Sequence, residues 1–164
     1  DVERLGTSGK MNPPLRTDTD VEALRSCIFD GTVDAIATDH APHSRESKNV
    51  SLSAAPPGML GVETMASVIW TEFVAPGLMT LDRFVALLST QPANVAGLVS
   101  QGQQLEVGKT ANIAVFDPQD EWTPDQSSLQ SKSANNPWIG KKLVGRVRHT
   151  ICRGKLVVAD RTLL

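Results

Sequence analysis

Histidine and cysteine are both scarce in this chain of 164 residues, with three of the first and two of the second. The cysteines, Cys27 and Cys152, lie far apart, with no CxxC pair and no matching histidine spacing. That leaves no cysteine-built zinc site and no disulfide framework, so both are expected as reduced thiols of a cytoplasmic protein. A formal net charge of −2 removes any electrostatic reason to expect nucleic acid or an anionic membrane as partner. No apolar run approaches the roughly 18–20 residues that span a bilayer, and no basic-then-apolar leader opens the chain. Internal repeats are absent too. There is no initiator methionine, and DVERLGTSGKMNPPLR reads as the end of a helix or loop already under way; the chain is expected to be the trailing part of something longer. What is there, at 40% apolar, is the composition of a globular domain.

Local patterns predict an α/β body followed by a small β layer. Lys10–Asn12 is expected to be extended, because Pro13 disfavours helix in the residue before it. Thr17 to Asp20 offers N-cap oxygens, Val21, Leu24, Cys27 and Ile28 recur at helical spacing, and Gly31 closes the helix. The run Val33–Thr38 suits a strand buried on both faces, so residues 10–38 predict one βαβ step of a parallel sheet. A long polar loop, Ser44 to Gly58, follows. Helices are then predicted over Val62–Phe73, over Leu81–Ser89 behind a Thr80 cap, and briefly around Pro92. Beyond Gly102, QLEVGKTANIAVFDP predicts two short strands around a turn at Val107–Thr110. Val147–Cys152, Arg153–Gly154 and Leu156–Ala159 predict a hairpin. The polar stretch between them, from Asp120 to Leu143, is expected to be irregular.

Chemistry in a parallel sheet collects where strands end and loops leave. Asp39 stands there, immediately after Val33–Thr38, with His40 and His43 beside it in IATDHAPHS. Three uses are open: a hard oxygen ligand for a divalent cation, an acid–base group, or a carboxylate that only caps a turn or pairs with a neighbouring arginine. Pro42 stiffens the turn that could aim Asp39 and His43 into one pocket, where His43 could bind an anion or shuttle a proton. His40 is expected to serve structural hydrogen bonding. Asn12, at the end of the preceding strand, could both donate to and accept from an amide-bearing substrate. A metal would lack holders, because a catalytic zinc needs about three protein ligands and no HxH exists here.

In order along the chain, GKMNPPLR, DGTVDAIATDHAPHS and PPGMLGVETM resemble successive signatures of the dihydroorotase family, of the longer bacterial type within the amidohydrolase superfamily. VGKTANIAVFDP and NNPWIGKKLVGRV are similar to that family's C-terminal portion. The resemblance implies the C-terminal part of a (β/α)8, TIM-like metal-dependent hydrolase barrel plus part of a small β-sandwich. Residues 1–101 would belong to the barrel and 102–164 to the sandwich segment and tail. It implies zinc-dependent, reversible cyclisation of N-carbamoyl-L-aspartate to dihydroorotate in pyrimidine synthesis. Asp39 would be both a metal ligand and the acid–base residue. His43 would hold the substrate carboxylate, Asn12 a polar edge of the ring, and main-chain groups of Pro57 and Gly58 would contribute further contacts. Pro57 departs from the aromatic residue common in bacterial members; a carbonyl contact tolerates that change and an N–H contact would not, since proline has none.

The same resemblance implies a zinc centre, binuclear in the complete enzyme, most of whose ligands lie upstream. The isolated chain would then be inactive, bind zinc poorly and expose the inner face of a partial sheet. The partner would be a small molecule, and homo-oligomerisation or association with aspartate transcarbamoylase are the assemblies in view. Two alternatives stand beside this one. The first is a fragment of another cyclic amidohydrolase, an allantoinase or a hydantoinase (dihydropyrimidinase), relatives that usually lack the histidine matching His43. The second is an inactive dihydroorotase-like scaffold subunit.

Overall fold

A computed structural model describes residues 2–164. Helices α1 (Val2–Leu5), α2 (Asp18–Asp30), α3 (Arg45–Lys48), α4 (Met65–Ile69), α5 (Leu81–Val85) and α6 (Gln91–Val95) precede strands β1 (Ile113–Trp122), β2 (Leu143–Cys152), β3 (Lys155–Ala159) and β4 (Thr162–Leu163). The chain divides into two units. One comprises the residues up to Asp30 with Ala37–Met65 and Thr123–Lys142; the other comprises Gly31–Ile36, Ala66–Trp122 and Leu143–Leu164. No helix among the described residues is long and apolar enough to cross a membrane.

In the second unit the four strands form one antiparallel sheet in sequence order. Ile113 pairs with Ile151 and Phe116 with Val147, with irregularities after Val115 and Asp117. The predicted β2–β3 hairpin forms. Its two turn residues, Arg153 and Gly154, both have positive φ, the backbone that matches the right-handed twist of paired strands. Helices α5 and α6 and all of α4 but Met65 also belong to this unit. α4 and α5 each continue as a wider π turn, Trp70–Val74 and Ala86–Thr90. In both places a threonine hydroxyl reaches back to the carbonyl four residues earlier, Thr71 to Ser67 at 2.7 Å and Thr90 to Ala86 at 3.5 Å. That bond competes for the acceptor the α-helical ladder would use. Thr80 caps α5 by accepting the Arg83 N–H at 3.2 Å, as the sequence predicts.

Trp70, Phe84 and Phe116 meet pairwise at 5.0–5.5 Å between ring centroids, and Leu87 and Leu143 are fully buried. Gly145 explains how the rings fit. It adopts φ +81, and a Cβ there would lie 2.4 Å from Phe116 and 2.9 Å from Trp70, so no other residue leaves the cluster intact.

Three sequence expectations are corrected. Val33–Thr38 and Lys10–Asn12 form no strand, so the βαβ step is not closed within the described residues. A strand is a paired state, and here the pairing is reduced to single bonds: Ile36 N–H to the Leu87 carbonyl, and Arg83 to the Val33 carbonyl. The helix expected over Val62–Phe73 begins only at Met65, after a turn at 62–64. Finally, the strand expected ahead of Val107 is absent, for want of a partner, whereas β1 runs on to Trp122.

Candidate active site

The site lies in the first unit, where two backbone strips run side by side. His40 bridges Met59 in parallel, and the Ala41 N–H donates to the Met59 carbonyl at 3.0 Å. This short contact sets Asp39–His43 against Pro57–Leu60. The strips touch closely because Gly58, at φ +128, has no side chain. A Cβ there would fall 2.6 Å from the Ala41 Cβ and 3.0 Å from Nε2 of His43.

Each residue singled out from the sequence has a definite place. Asp39 is exposed, sits at φ +44, and its carboxylate makes no hydrogen bond or ion pair among the described residues. Aspartate is among the few residues that tolerate this left-handed backbone, and such positions concentrate at functional sites. His40 Nδ1 accepts the N–H groups of Gly61 at 3.2 Å and Val62 at 3.3 Å, so its proton sits on Nε2. That is the structural role expected of it. His43 places Nε2 2.8 Å from the Pro57 carbonyl; this nitrogen must donate, which leaves Nδ1 as the ring's remaining polar atom.

The Pro57–Gly58 peptide is held on both edges, since the Gly58 N–H donates to the Lys10 carbonyl at 2.8 Å. Its N–H is therefore committed within the chain. The same bond ties the segment carrying Asn12 to the loop, although Asn12 itself is exposed and forms no hydrogen bond with Asp39 or His43. His43, Pro57 and Gly58 are brought together. Asn12 and Asp39 are left as free polar groups at the edge.

Sequence reasoning passed over two residues of the irregular stretch Thr123–Lys142. Ser133 and Asn135 are buried, at 6% and 4% exposure. Ser133 accepts the His43 N–H at 3.2 Å and donates to the His43 carbonyl at 2.5 Å. The Asn135 amide donates to the carbonyls of Ala41 at 3.2 Å and Gly58 at 3.1 Å. This loop is fastened by Glu63, whose carboxylate accepts the N–H groups of Gln130 and Ser131 at 2.7 and 3.0 Å. Serine and asparagine are residues that bond backbone, and SANNP held that hint; burial, the deciding property, has no signature in a polar run.

A cleft of about 320 Å³ opens beside His43, with Ser8, Arg45, Lys48 and Asn135 in its wall and no carboxylate among its lining residues. Lys48 is 7% exposed and donates to the carbonyls of Thr7 and Pro56, both at 2.9 Å. Burial pushes its ammonium below the ordinary lysine range, and the charge of Lys10 pushes the same way. Arg45 and Lys48 give this lining two cationic residues and no acidic one, a composition that suits an anionic ligand.

A family model described as the amidohydrolase family matches residues 6–157. The chain belongs to the amidohydrolase family. Among curated relatives, it is 48% identical to a dihydroorotase of Anaeromyxobacter dehalogenans (strain 2CP-C) over 92% of this chain and 34% of that protein. It is 44% identical to a dihydroorotase of Mycobacterium tuberculosis over 92% of this chain and 35% of that protein. The chain thus spans about a third of the length of the curated relatives it matches. Among solved structures, the L-hydantoinase (dihydropyrimidinase) from Arthrobacter aurescens superposes with a TM-score of 0.89 at 28% identity, covering 99% of this chain and 37% of that one. The mixed α/β architecture is therefore that of a hydantoinase segment.

Among the described residues no three histidine, cysteine, aspartate or glutamate side chains gather closely enough to hold an ion. Asp39, exposed and with both oxygens unused, fits as one oxygen donor and no more.

Proposed function

We propose that this chain supplies the C-terminal third of a zinc-dependent dihydroorotase, which interconverts N-carbamoyl-L-aspartate and dihydroorotate. One observation carries the assignment. Identity to proteins named dihydroorotase reaches 48% over 92% of this chain, against 28% for the hydantoinase structure over 99% of it. In this reading residues 1–101 belong to the barrel and 102–164 to the β layer, and the chain by itself is inactive. Pyrimidine synthesis would place the complete protein in the cytoplasm, and self-association or association with aspartate transcarbamoylase would be its assemblies.

Asp39 would hold zinc together with donors from outside the described residues; bound there, zinc lowers the pKa of water toward about 7 and polarises a carbonyl. In ring opening, water adds to the ring amide carbonyl and the ring C–N bond breaks. The Asp39 carboxylate collects the proton released by the water and delivers it to the departing nitrogen. Ring closure runs the same transfers backwards. His43 is anchored through Nε2, so a proton on Nδ1 makes it a cationic donor for a substrate carboxylate. Asn12 meets a polar edge of the ring. The carbonyls of Pro57 and Gly58 each keep a second lone pair for a substrate N–H.

Replacing His43 with alanine in the complete protein tests this division of labour. KM for dihydroorotate should rise about tenfold or more, the scale of one charge-assisted hydrogen bond, with metal content unchanged. Metal analysis decides the alternative: a collapse of zinc content would make His43 a ligand.

A further inference from the structure

From the hydrogen bonds around Asn135 we infer that this residue is a positioning residue for His43, acting from a distant part of the chain on the grip that His43 has on substrate. The inference rests on the carboxylate-binding role proposed for His43.

The Asn135 side chain uses its whole bonding capacity on the two strips that make the site. Its two N–H donors go to the carbonyls of Ala41 and Gly58. Its oxygen accepts the His43 N–H at 3.4 Å and faces the Ser133 hydroxyl, whose one proton lies between this oxygen and the His43 carbonyl. Even its main-chain carbonyl takes part, accepting the Leu60 N–H at 3.0 Å. The amide orientation is fixed by this network, because the reverse one would set its oxygen against two carbonyls.

The consequence lies at the Pro57–Gly58 peptide. Among the described residues the hydrogen bond that orients the His43 ring goes to the Pro57 carbonyl, so the ring's position depends on the spacing of the two strips. Asn135 sets that spacing from above Gly58, and the missing Cβ of Gly58 lets the strips close. Remove the two donations and the Ala41 and Gly58 carbonyls, both close to Asn135, lose their shared partner. The strips then part, and the bond between Nε2 and the Pro57 carbonyl lengthens. Positioning and plain stabilisation differ in what they do to KM.

Asn135→Asp keeps the shape and the acceptor but turns both donors into an oxygen facing carbonyls. Asn135→Ser is the second variant, in case the first fails to fold. In the complete protein, steady-state kinetics with dihydroorotate should show KM raised about fivefold to tenfold, with kcat per bound metal within about twofold of the parent. Made in a His43→Ala background, either change should leave KM where His43→Ala alone puts it, because nothing remains to be positioned. Additive effects on KM in the two backgrounds, or folded variants with unchanged KM, would overturn the inference. Failure of His43→Ala itself to raise KM would instead overturn the reading of His43, which keeps the two claims apart.

Discussion

Replacing Asp39 with alanine in the complete protein is expected to lower turnover at least about a thousandfold, combining loss of a proton carrier with loss of a metal donor. Metal content per chain should fall as well. Folding should hardly change, because the side chain is exposed and has no hydrogen bond or ion pair among the described residues. The one structural cost comes from the backbone, where alanine at φ +44 is disfavoured by about 1 kcal/mol relative to a residue that tolerates the left-handed region. Asp39→Asn, which keeps the shape and removes the charge, should be nearly as inactive. Activity within a few-fold of the parent in either variant would mean that the carboxylate does neither job.

The second large effect is expected at Gly58. Alanine there meets two penalties: a backbone at φ +128 that L-residues rarely adopt, and a Cβ 2.6 Å from that of Ala41. Strain and overpacking together should cost about 2–5 kcal/mol, read as a lower urea midpoint at constant slope. KM should rise too, since the same Cβ would press on Nε2 of His43 at 3.0 Å. Gly31 supplies the control. It has φ +90 but nothing within 4 Å of its Cβ position, so Gly31→Ala should cost only about 1 kcal/mol and leave KM alone. Equal effects at the two glycines would show that close packing of the strips is not what matters.

Much of this was legible in the sequence because it is local. The Thr80 cap, the Arg153–Gly154 turn and the helix ending at Asp30 before Gly31 depend on side chains within a few residues of each other. Strand pairing is not local. Val33–Thr38 has the composition of a buried strand, yet composition cannot supply the neighbour whose hydrogen bonds make it one. At the site, IATDHAPHS was visible as a cluster of Asp39, His40 and His43. The hold that Ser133 and Asn135 have on it spans some ninety residues of chain, 90 between His43 and Ser133, and polar side chains do not advertise burial.

The most direct measurement is a comparison of substrates with the complete protein. Determining kcat/KM for dihydroorotate and for a substituted hydantoin under the same conditions should give a preference of at least about a hundredfold for dihydroorotate, the scale of discrimination when a site's hydrogen-bond donors meet a carboxylate that the competitor lacks. A preference for the hydantoin would contradict the account.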